Sequence, residues 1–290
     1  MTRWLVTGAG GQLGSDLVSV LSDSGDQVVG LSRADLDIAD ERAVRRAVDE
    51  VWPDIVVNAA AYTKVDDAET HESDAYRVNA TGPGVLALAT SGRARLLHVS
   101  TDYVFDGTGS VPYPEDALTE PRSAYGRTKL AGEVAAFGVH PDVYVVRTAW
   151  VYGATGGNFV KTMAALEASR ETVSVVDDQR GSPTWSRDLA YALATLGRSG
   201  AAPGVYHVTG GGETTWYGLA RAVFEELGAD PDRVLPTTSD AFPRPAPRPA
   251  YSVLGSQRWR AAGMPPMRHW REALSAAFVR SAVDLRPKPA

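Results

Sequence analysis

Two hydroxyls, a phenol and an ammonium are spaced in this 290-residue chain as a carbonyl reduction needs them. Ser100-Thr101-Asp102-Tyr103-Val104-Phe105-Asp106-Gly107 closes an apolar run, and Tyr125-Gly126-Arg127-Thr128-Lys129 begins 24 residues after Thr101. Tyr125 and Lys129 are four apart, so one face of a helix presents both. Hydride arriving at a ketone carbon creates an alkoxide that must be protonated as it forms. A phenol can donate that proton, but its ordinary pKa of about 10 is high for work at neutral pH. A nearby ammonium favours the phenolate and lowers that value. Thr101 supplies a second hydroxyl for the ketone oxygen, with Ser100 the competitor for the role. The expected catalytic set is Tyr125, Lys129 and Thr101.

A hydride donor has a place near the N-terminus. Gly8-Ala9-Gly10-Gly11-Gln12-Leu13-Gly14 follows Leu5-Val6-Thr7 and leads into an apolar period at Leu13, Leu17, Val20 and Leu21. Gly8 permits the tight turn, Gly11 lets a pyrophosphate approach the backbone, and Gly14 lets the helix pack closely on the strand. The helix N-terminus then turns free N–H groups to the phosphates. The second strand ends in Leu31-Ser32-Arg33. A carboxylate there would read a ribose 2′-hydroxyl. Arg33 instead suits a 2′-phosphate, so NADPH is expected, with Asp35 keeping NADH as the alternative. Leu36-Asp37-Ile38 is expected to flank the adenine, Asp37 accepting from its amino group. In Asn58-Ala59-Ala60-Ala61-Tyr62-Thr63 small side chains leave room for the cofactor against the backbone.

The elements that must position these groups alternate in kind. Trp4–Thr7, Gln27–Leu31, Asp54–Asn58, Leu96–Ser100 and Val143–Arg147 read as buried strands. Leu13–Leu21, Arg42–Val51, Val85–Thr90 and Lys129–Phe137 read as helices between them. Such alternation predicts an α/β fold, a doubly wound parallel sheet of Rossmann type, whose ligand site lies at the carboxyl ends of the strands. Residues 1–150 are expected to form the dinucleotide-binding domain. Residues 151–290 are expected to form mainly a smaller, loop-rich sugar-nucleotide lobe, some segments returning to the first domain. Helices are expected there at about Ser186–Leu196, Thr215–Leu227 and His269–Arg280, with a proline-rich stretch at Phe242–Pro249 and a loose tail after Val283.

Composition narrows the function. With no cysteine, thiol nucleophiles and cysteine-ligated zinc are excluded. A net charge of −6 argues against a nucleic-acid binder. No apolar run approaches the ~20 residues that span a bilayer. The first residues enter a strand directly, which leaves no room for a signal peptide. A cytoplasmic enzyme with a small-molecule substrate, and no membrane partner, is expected.

The motifs together resemble the extended short-chain dehydrogenase/reductase superfamily, and within it are most similar to the dTDP-4-dehydrorhamnose reductase family. The resemblance is carried by the glycine loop, Asn58–Thr63, Ser100–Gly107, Tyr125–Glu133, Arg147–Gly153, Asn158–Val160, Gly181–Thr184 and Arg248–Leu254, spread over nearly the whole chain. It implies a proton donor at Tyr125 and a cofactor-contacting Lys129. It implies substrate contacts from Thr101, Asp102 and Trp150. Cofactor contacts would come from Gly11, Gln12, Leu13, Asp37, Ile38, Ala61, Tyr62 and Thr63. The implied reaction is NADPH-dependent reduction of the C4 ketone of dTDP-4-dehydro-6-deoxy-L-mannose to dTDP-L-rhamnose. Dehydratases of the superfamily carry an acid two places after the catalytic threonine; here Tyr103 stands there, which favours reduction.

Further substrate contacts are expected from Trp150 by stacking on the sugar or thymine ring, and from Asn158 on a sugar hydroxyl or diphosphate oxygen. Arg248, with Arg244, is expected on the diphosphate. Some members resemble metal-assisted dimers that use glutamates; Asp16 stands in the corresponding region, so no metal site is expected, and a homodimer remains an expectation. Two alternatives stay open: a 4-ketoreductase for another deoxysugar nucleotide, and a non-catalytic NADP-binding regulatory subunit resembling that of methionine adenosyltransferase.

Overall fold

The computed structural model describes residues 1–285. The first half of the chain runs β1 (Arg3–Thr7), α1 (Gln12–Asp23), β2 (Gln27–Leu31), α2 (Glu41–Val51), β3 (Ile55–Asn58), α3 (Glu72–Tyr76), α4 (Gly82–Thr90), β4 (Arg95–Thr101), α5 (Ala124–Phe137) and β5 (Val143–Thr148). The second half adds β6 (Val151–Tyr152), α6 (Phe159–Ser169), β7 (Val173–Val176), β8 (Arg180–Gly181), β9 (Thr184–Trp185) and α7 (Ser186–Arg198). It continues through β10 (Gly204–His207), β11 (Thr214–Thr215), α8 (Trp216–Glu226), β12 (Val234–Thr237), α9 (Gln257–Ala261) and α10 (Trp270–Leu285).

Six strands form one sheet in the order β10-β5-β4-β3-β1-β2, and every pairing in it is parallel. β3 and β5 are buried along their whole length, as their apolar sequences require when helices cover both faces. On one face α1 and α7 enclose Trp4, Val6, Leu17, Leu21 and Leu193. On the other, α2, α4 and α5 cover Leu5, Val44, Val48, Leu86 and Leu96. A separate core, with Val160, Met163, Leu219, Phe224 and Leu274, holds α6, α8 and α10 together. The doubly wound fold is therefore as expected.

The register aligns the functional ends of the strands. Thr7 lies beside Asn58, Asn58 beside His98, and Thr101 beside Thr148. The strand order reverses between β1 and β3, and a crevice opens at such a switch point.

Three features refine the sequence reading. The sixth strand, β10, and the covering helix α7 lie beyond Trp150, among the later segments that pack with the first half. The change of composition there marks where the path leaves the sheet, not where the sheet ends. β10 is only four residues long and follows Pro203, too short a run to stand out. A π-helical turn, Arg77–Thr81, joins α3 to α4. α5 begins at Ala124, five residues before the expected Lys129, because Ser123 caps it. The expected tail after Val283 begins inside α10 and otherwise lies outside the described residues.

Candidate active site

At the switch point Gly8 has a φ of +71°, and a Cβ there would come to 2.6 Å from the backbone nitrogen of Ala60. Gly14, in the first turn of α1, could carry no side chain either: its Cβ would meet the Gly8 carbonyl at 2.1 Å. The N-cap of α1 is Gly11, and no side chain caps that end. The first-turn N–H groups of Gln12, Leu13 and Gly14 thus keep no partner from the helix itself. By contrast Ser123 caps α5 and Asn158 caps α6. An uncapped helix start set in glycine fits a pyrophosphate.

The surroundings of this loop are more committed than the sequence suggested. Gln12 donates to the Val151 carbonyl at 2.9 Å and accepts from Asn158 Nδ2 at 2.8 Å, tying the loop to the segment after β5. Asp35 turns back on Ser32, accepting from its N–H at 2.9 Å and its Oγ at 2.6 Å. It therefore closes its own turn, whereas Arg33 stays exposed. Asp37 pairs with Arg77, and that bond holds its carboxyl below the usual range. Its expected partner, the adenine amino group, would have to compete with a guanidinium. Ile38 is buried beneath Gly82. Ala61 and Tyr62 are half-buried and Thr63 is exposed.

At the other end of the crevice β4 delivers two hydroxyls to opposite faces, as successive strand residues must. Ser100 donates to Glu133 at 2.5 Å. Thr101 Oγ1 accepts from the Tyr103 N–H at 3.2 Å and donates to Asp102 Oδ1 at 3.0 Å, and it lies close enough to the Tyr125 phenol to act on its titration. The strand alternation thus brings Thr101, not Ser100, to the phenol. Tyr125 sits in the first turn of α5, where Ser123 Oγ accepts from Gly126 N at 3.1 Å and Glu69 accepts from Ala124 N at 2.8 Å.

Lys129 lies one turn further along. Only 2% of it is exposed, and its Nζ donates to the Val99 carbonyl at 2.7 Å. Burial pushes the ammonium down to about 8, against the pull of Glu133. The expected lowering of the phenol is corrected here. Burial pushes Tyr125 up to about 12, with neighbouring Thr101 acting downward and Asp102 upward. Lys129 donates its hydrogen bond to a backbone carbonyl instead of to the phenol. A phenol held high is fully protonated at neutral pH, the state from which a proton donor starts. Asp102 is 3% exposed, its Oδ2 has no hydrogen-bond partner, and burial pushes its carboxyl up to about 6.

Four residues expected at the substrate have other partners. Asn158 accepts from Lys161 N at 3.1 Å and donates to Gln12 and to the Gly153 carbonyl, both at 2.8 Å. Its side chain is fully used in capping α6 and bracing the glycine loop. Arg248 bonds Asp66 at 2.7 Å and the Ala246 carbonyl at 3.1 Å, and Arg244 reaches the same Asp66 at 4.0 Å. Both arginines brace the proline-rich stretch. Trp150 does stand just past β5, but one face of its ring lies flat on Trp216, with centroids 3.6 Å apart.

Sequence reasoning missed the supports. Glu133 continues the stripe of Tyr125 and Lys129 by four residues, a visible signal. It takes a buried fork from Arg147, with Nη2 at 2.7 Å and Nε at 3.0 Å. Arg147, charged within an otherwise apolar strand, was the second signal. Thr7, Asn58 and His98 form a buried chain at 2.7 and 3.1 Å across three strands. Asn58 Oδ1 accepts from Thr7, so its amide nitrogen faces His98 Nδ1 and the imidazole proton sits on Nε2. Asn79, in the π-turn, bonds the Tyr62 N–H at 2.8 Å and the Thr128 hydroxyl at 3.1 Å. It clips the loop after β3 to α5, and no local pattern announces it.

Comparison with known proteins gives consistent results. The family model described as RmlD substrate binding domain matches residues 2–283. The chain is similar to a dTDP-4-dehydrorhamnose reductase of Streptomyces griseus, 56% identical over 282 residues, covering 95% of this chain and 93% of that one. It is also similar to a probable dTDP-4,6-dihydroxy-2-methyloxan-3-one 4-ketoreductase of Streptomyces antibioticus, at 53% identity over 278 residues, covering 95% and 94%. Among solved structures, the dTDP-4-dehydrorhamnose reductase of Bacillus anthracis in complex with NADP superposes with a TM-score of 0.93 at 38% identity, covering 96% of this chain and 99% of that one.

Proposed function

The chain belongs to the RmlD substrate binding domain family, and from that premise we propose that it reduces the C4 ketone of dTDP-4-dehydro-6-deoxy-L-mannose to dTDP-L-rhamnose with NADPH. The observation that carries this reading is the Thr101–Tyr125 hydroxyl pair, with buried Lys129 behind it, at the same sheet edge as the uncapped, glycine-set start of α1. Relatives at 50–56% identity named as dTDP-4-dehydrorhamnose reductases support it.

Gln12, Leu13 and Gly14 would turn backbone N–H groups to the pyrophosphate, with Gly8 and Gly11 keeping the loop open for its approach. Arg33 meets the 2′-phosphate, and the backbone at Asp37–Ile38 and Ala61–Thr63 borders the rest of the dinucleotide. When bound, that dinucleotide supplies the hydride. Tyr125 donates its hydroxyl proton to the sugar O4, and Thr101 hydrogen-bonds the same oxygen. Lys129 keeps a positive charge behind the phenolate left by that transfer. Asp102 offers its unpartnered Oδ2 to a sugar hydroxyl, and Trp150 turns an aromatic surface to the sugar nucleotide. Tyr103 provides no carboxylate to take the C5 proton beside the ketone, so elimination does not compete with reduction.

Among the described residues no helix is long and apolar enough to cross a membrane, and we place the enzyme in the cytoplasm. We also infer a homodimer through α4 and α5, where Leu88, Val134 and Phe137 are exposed on neighbouring helices. Sedimentation of the wild type and of Val134→Glu would test it: a dimer that becomes monomeric supports the inference, and a monomeric wild type refutes it. The reaction itself is tested by incubating purified protein with NADPH and a panel of 4-keto-6-deoxy sugar nucleotides. Formation of dTDP-L-rhamnose is expected. NADPH binding without any turnover, or preference for a different hexose, would overturn the proposal.

A further inference from the structure

Trp150 is held in an unfavourable backbone conformation. Its φ is +49°, a left-handed value that a bulky non-glycine residue seldom adopts. Such outliers persist only where the surroundings over-determine them. The backbone of the segment is anchored by the glycine loop, where Gln12 donates to the Val151 carbonyl, and by β9, where Thr184 N donates to the Trp150 carbonyl at 3.2 Å. The indole is anchored by the second lobe. Trp216, the first residue of α8, lies parallel to it at 3.6 Å and 5°.

The stack is braced on several sides. Gly181 has no side chain because a Cβ there would run into the Trp150 ring at 2.5 Å. Phe159, at the start of α6, packs against the far side of the pair, 4.5 Å from Trp216. Trp216 Nε1 donates to Gln179 Oε1 at 3.1 Å, and Gln179 Nε2 donates to Ser239 Oγ at 2.8 Å. Those bonds prevent rotation of Trp216 about its own side chain. The plane of the Trp150 ring is therefore set by α8, while its backbone is held by the glycine loop and β9.

We propose that Trp216 is a positioning residue for the sugar nucleotide, acting through Trp150 by fixing the ring plane that the substrate meets. This rests on the reading of Trp150 as a substrate-facing ring. Offset aromatic pairs are worth enough that losing one weakens positioning by roughly 3- to 10-fold.

Trp216→Phe keeps a stacking partner without the indole N–H; Trp216→Ala removes the partner. We expect Trp216→Ala to raise the KM for the sugar nucleotide roughly 3- to 10-fold, with NADPH affinity unchanged and Trp216→Phe closer to wild type. The exciton couplet of two stacked indoles in the far-ultraviolet circular dichroism should vanish in Trp216→Ala and in Trp150→Ala alike. In the double variant KM should equal that of Trp150→Ala alone. If Trp216→Ala abolishes the couplet yet leaves KM unchanged, or if the two effects add, the positioning role is overturned. If Trp150→Ala itself leaves KM unchanged, the reading of Trp150 fails first. Should Trp216→Ala not fold, as judged by lost NADPH binding, Trp216→Phe and Trp216→Leu carry the same test, Phe expected to approach wild type and Leu to match the raised KM; equal KM values for the two would overturn it.

Discussion

The two ends of the crevice are built from opposite materials. At the phosphate end the functional groups are backbone N–H groups of α1, exposed by glycine and left uncapped. At the reactive end they are side chains of β4 and α5, each fixed by a buried partner: Thr101 by Asp102 and Tyr103, Lys129 by Val99. Beneath them Ser100 and Arg147 converge on Glu133. Backbone sites are specified by what is missing, side-chain sites by what surrounds them. Damage at the first end should therefore appear in cofactor affinity, and damage at the second in turnover.

Thr101→Val should separate the two most sharply. It removes a hydrogen-bond donor at the developing oxyanion, so kcat should fall about 100- to 1,000-fold while NADPH affinity stays within a factor of about two; titration of cofactor fluorescence and steady-state rates would check it. Gly8→Ala is the converse. A left-handed residue costs ~1–2 kcal/mol, and the clash with Ala60 adds to it, so NADPH should bind at least ~10-fold more weakly with a smaller change in kcat at saturating cofactor. A Gly8 variant that loses kcat but keeps affinity would break the contrast.

Lys129 makes the reactive end sensitive to pH. Its ammonium titrates near 8 when folded and near its ordinary 10.5 when unfolded. Between these values the unfolded chain binds the extra proton, so stability should rise with pH across that window. Activity should move the other way, kcat/KM falling about tenfold per unit above pH 8 as the charge is lost. Melting curves and rate profiles over pH 7–10 would show whether the two diverge; a parallel fall of both would indicate simple unfolding. The smallest effect is expected from Arg33→Ala. One exposed charge-assisted contact sits at the low end of the ~1.5–3 kcal/mol range, so the NADPH/NADH ratio of kcat/KM should drop by about 10-fold, with no change in stability.

The same contrast governs what can be read from the chain. Gly8, Gly11 and Gly14 are legible because their requirement is local: a turn, a close approach and a helix start follow one another within seven residues. Tyr125 and Lys129 are legible as a pair because four residues make one helical turn. Their environment is not, because it comes from elsewhere in the chain. Ser100 and Thr101 looked equivalent until strand alternation set one toward Glu133 and the other toward the phenol. Asn158 and Arg248 had the right chemistry for a substrate, and distant partners, Gln12 and Asp66, took it up. The phenol's pKa was misjudged for a similar reason. Sequence shows the lysine, but not the Val99 carbonyl that accepts its hydrogen bond or the burial that raises Tyr125.

The sheet was read in five of its strands from apolar runs between helical stretches. β10 escaped because a four-residue strand after a proline carries little periodic signal, although Arg147 and His207, adjacent in the register of β5 and β10, share a buried contact at 3.5 Å.

The central claim is that the Tyr125 phenol delivers the proton to the substrate oxygen. Replacing it with phenylalanine removes one oxygen from a half-buried ring and leaves the glycine loop untouched. NADPH affinity and single-turnover oxidation of NADPH with the 4-keto sugar nucleotide should be measured together in Tyr125→Phe. We expect affinity within a factor of about two of wild type and a rate reduced ~100- to 10,000-fold. Near-wild-type turnover with both ligands bound would contradict it.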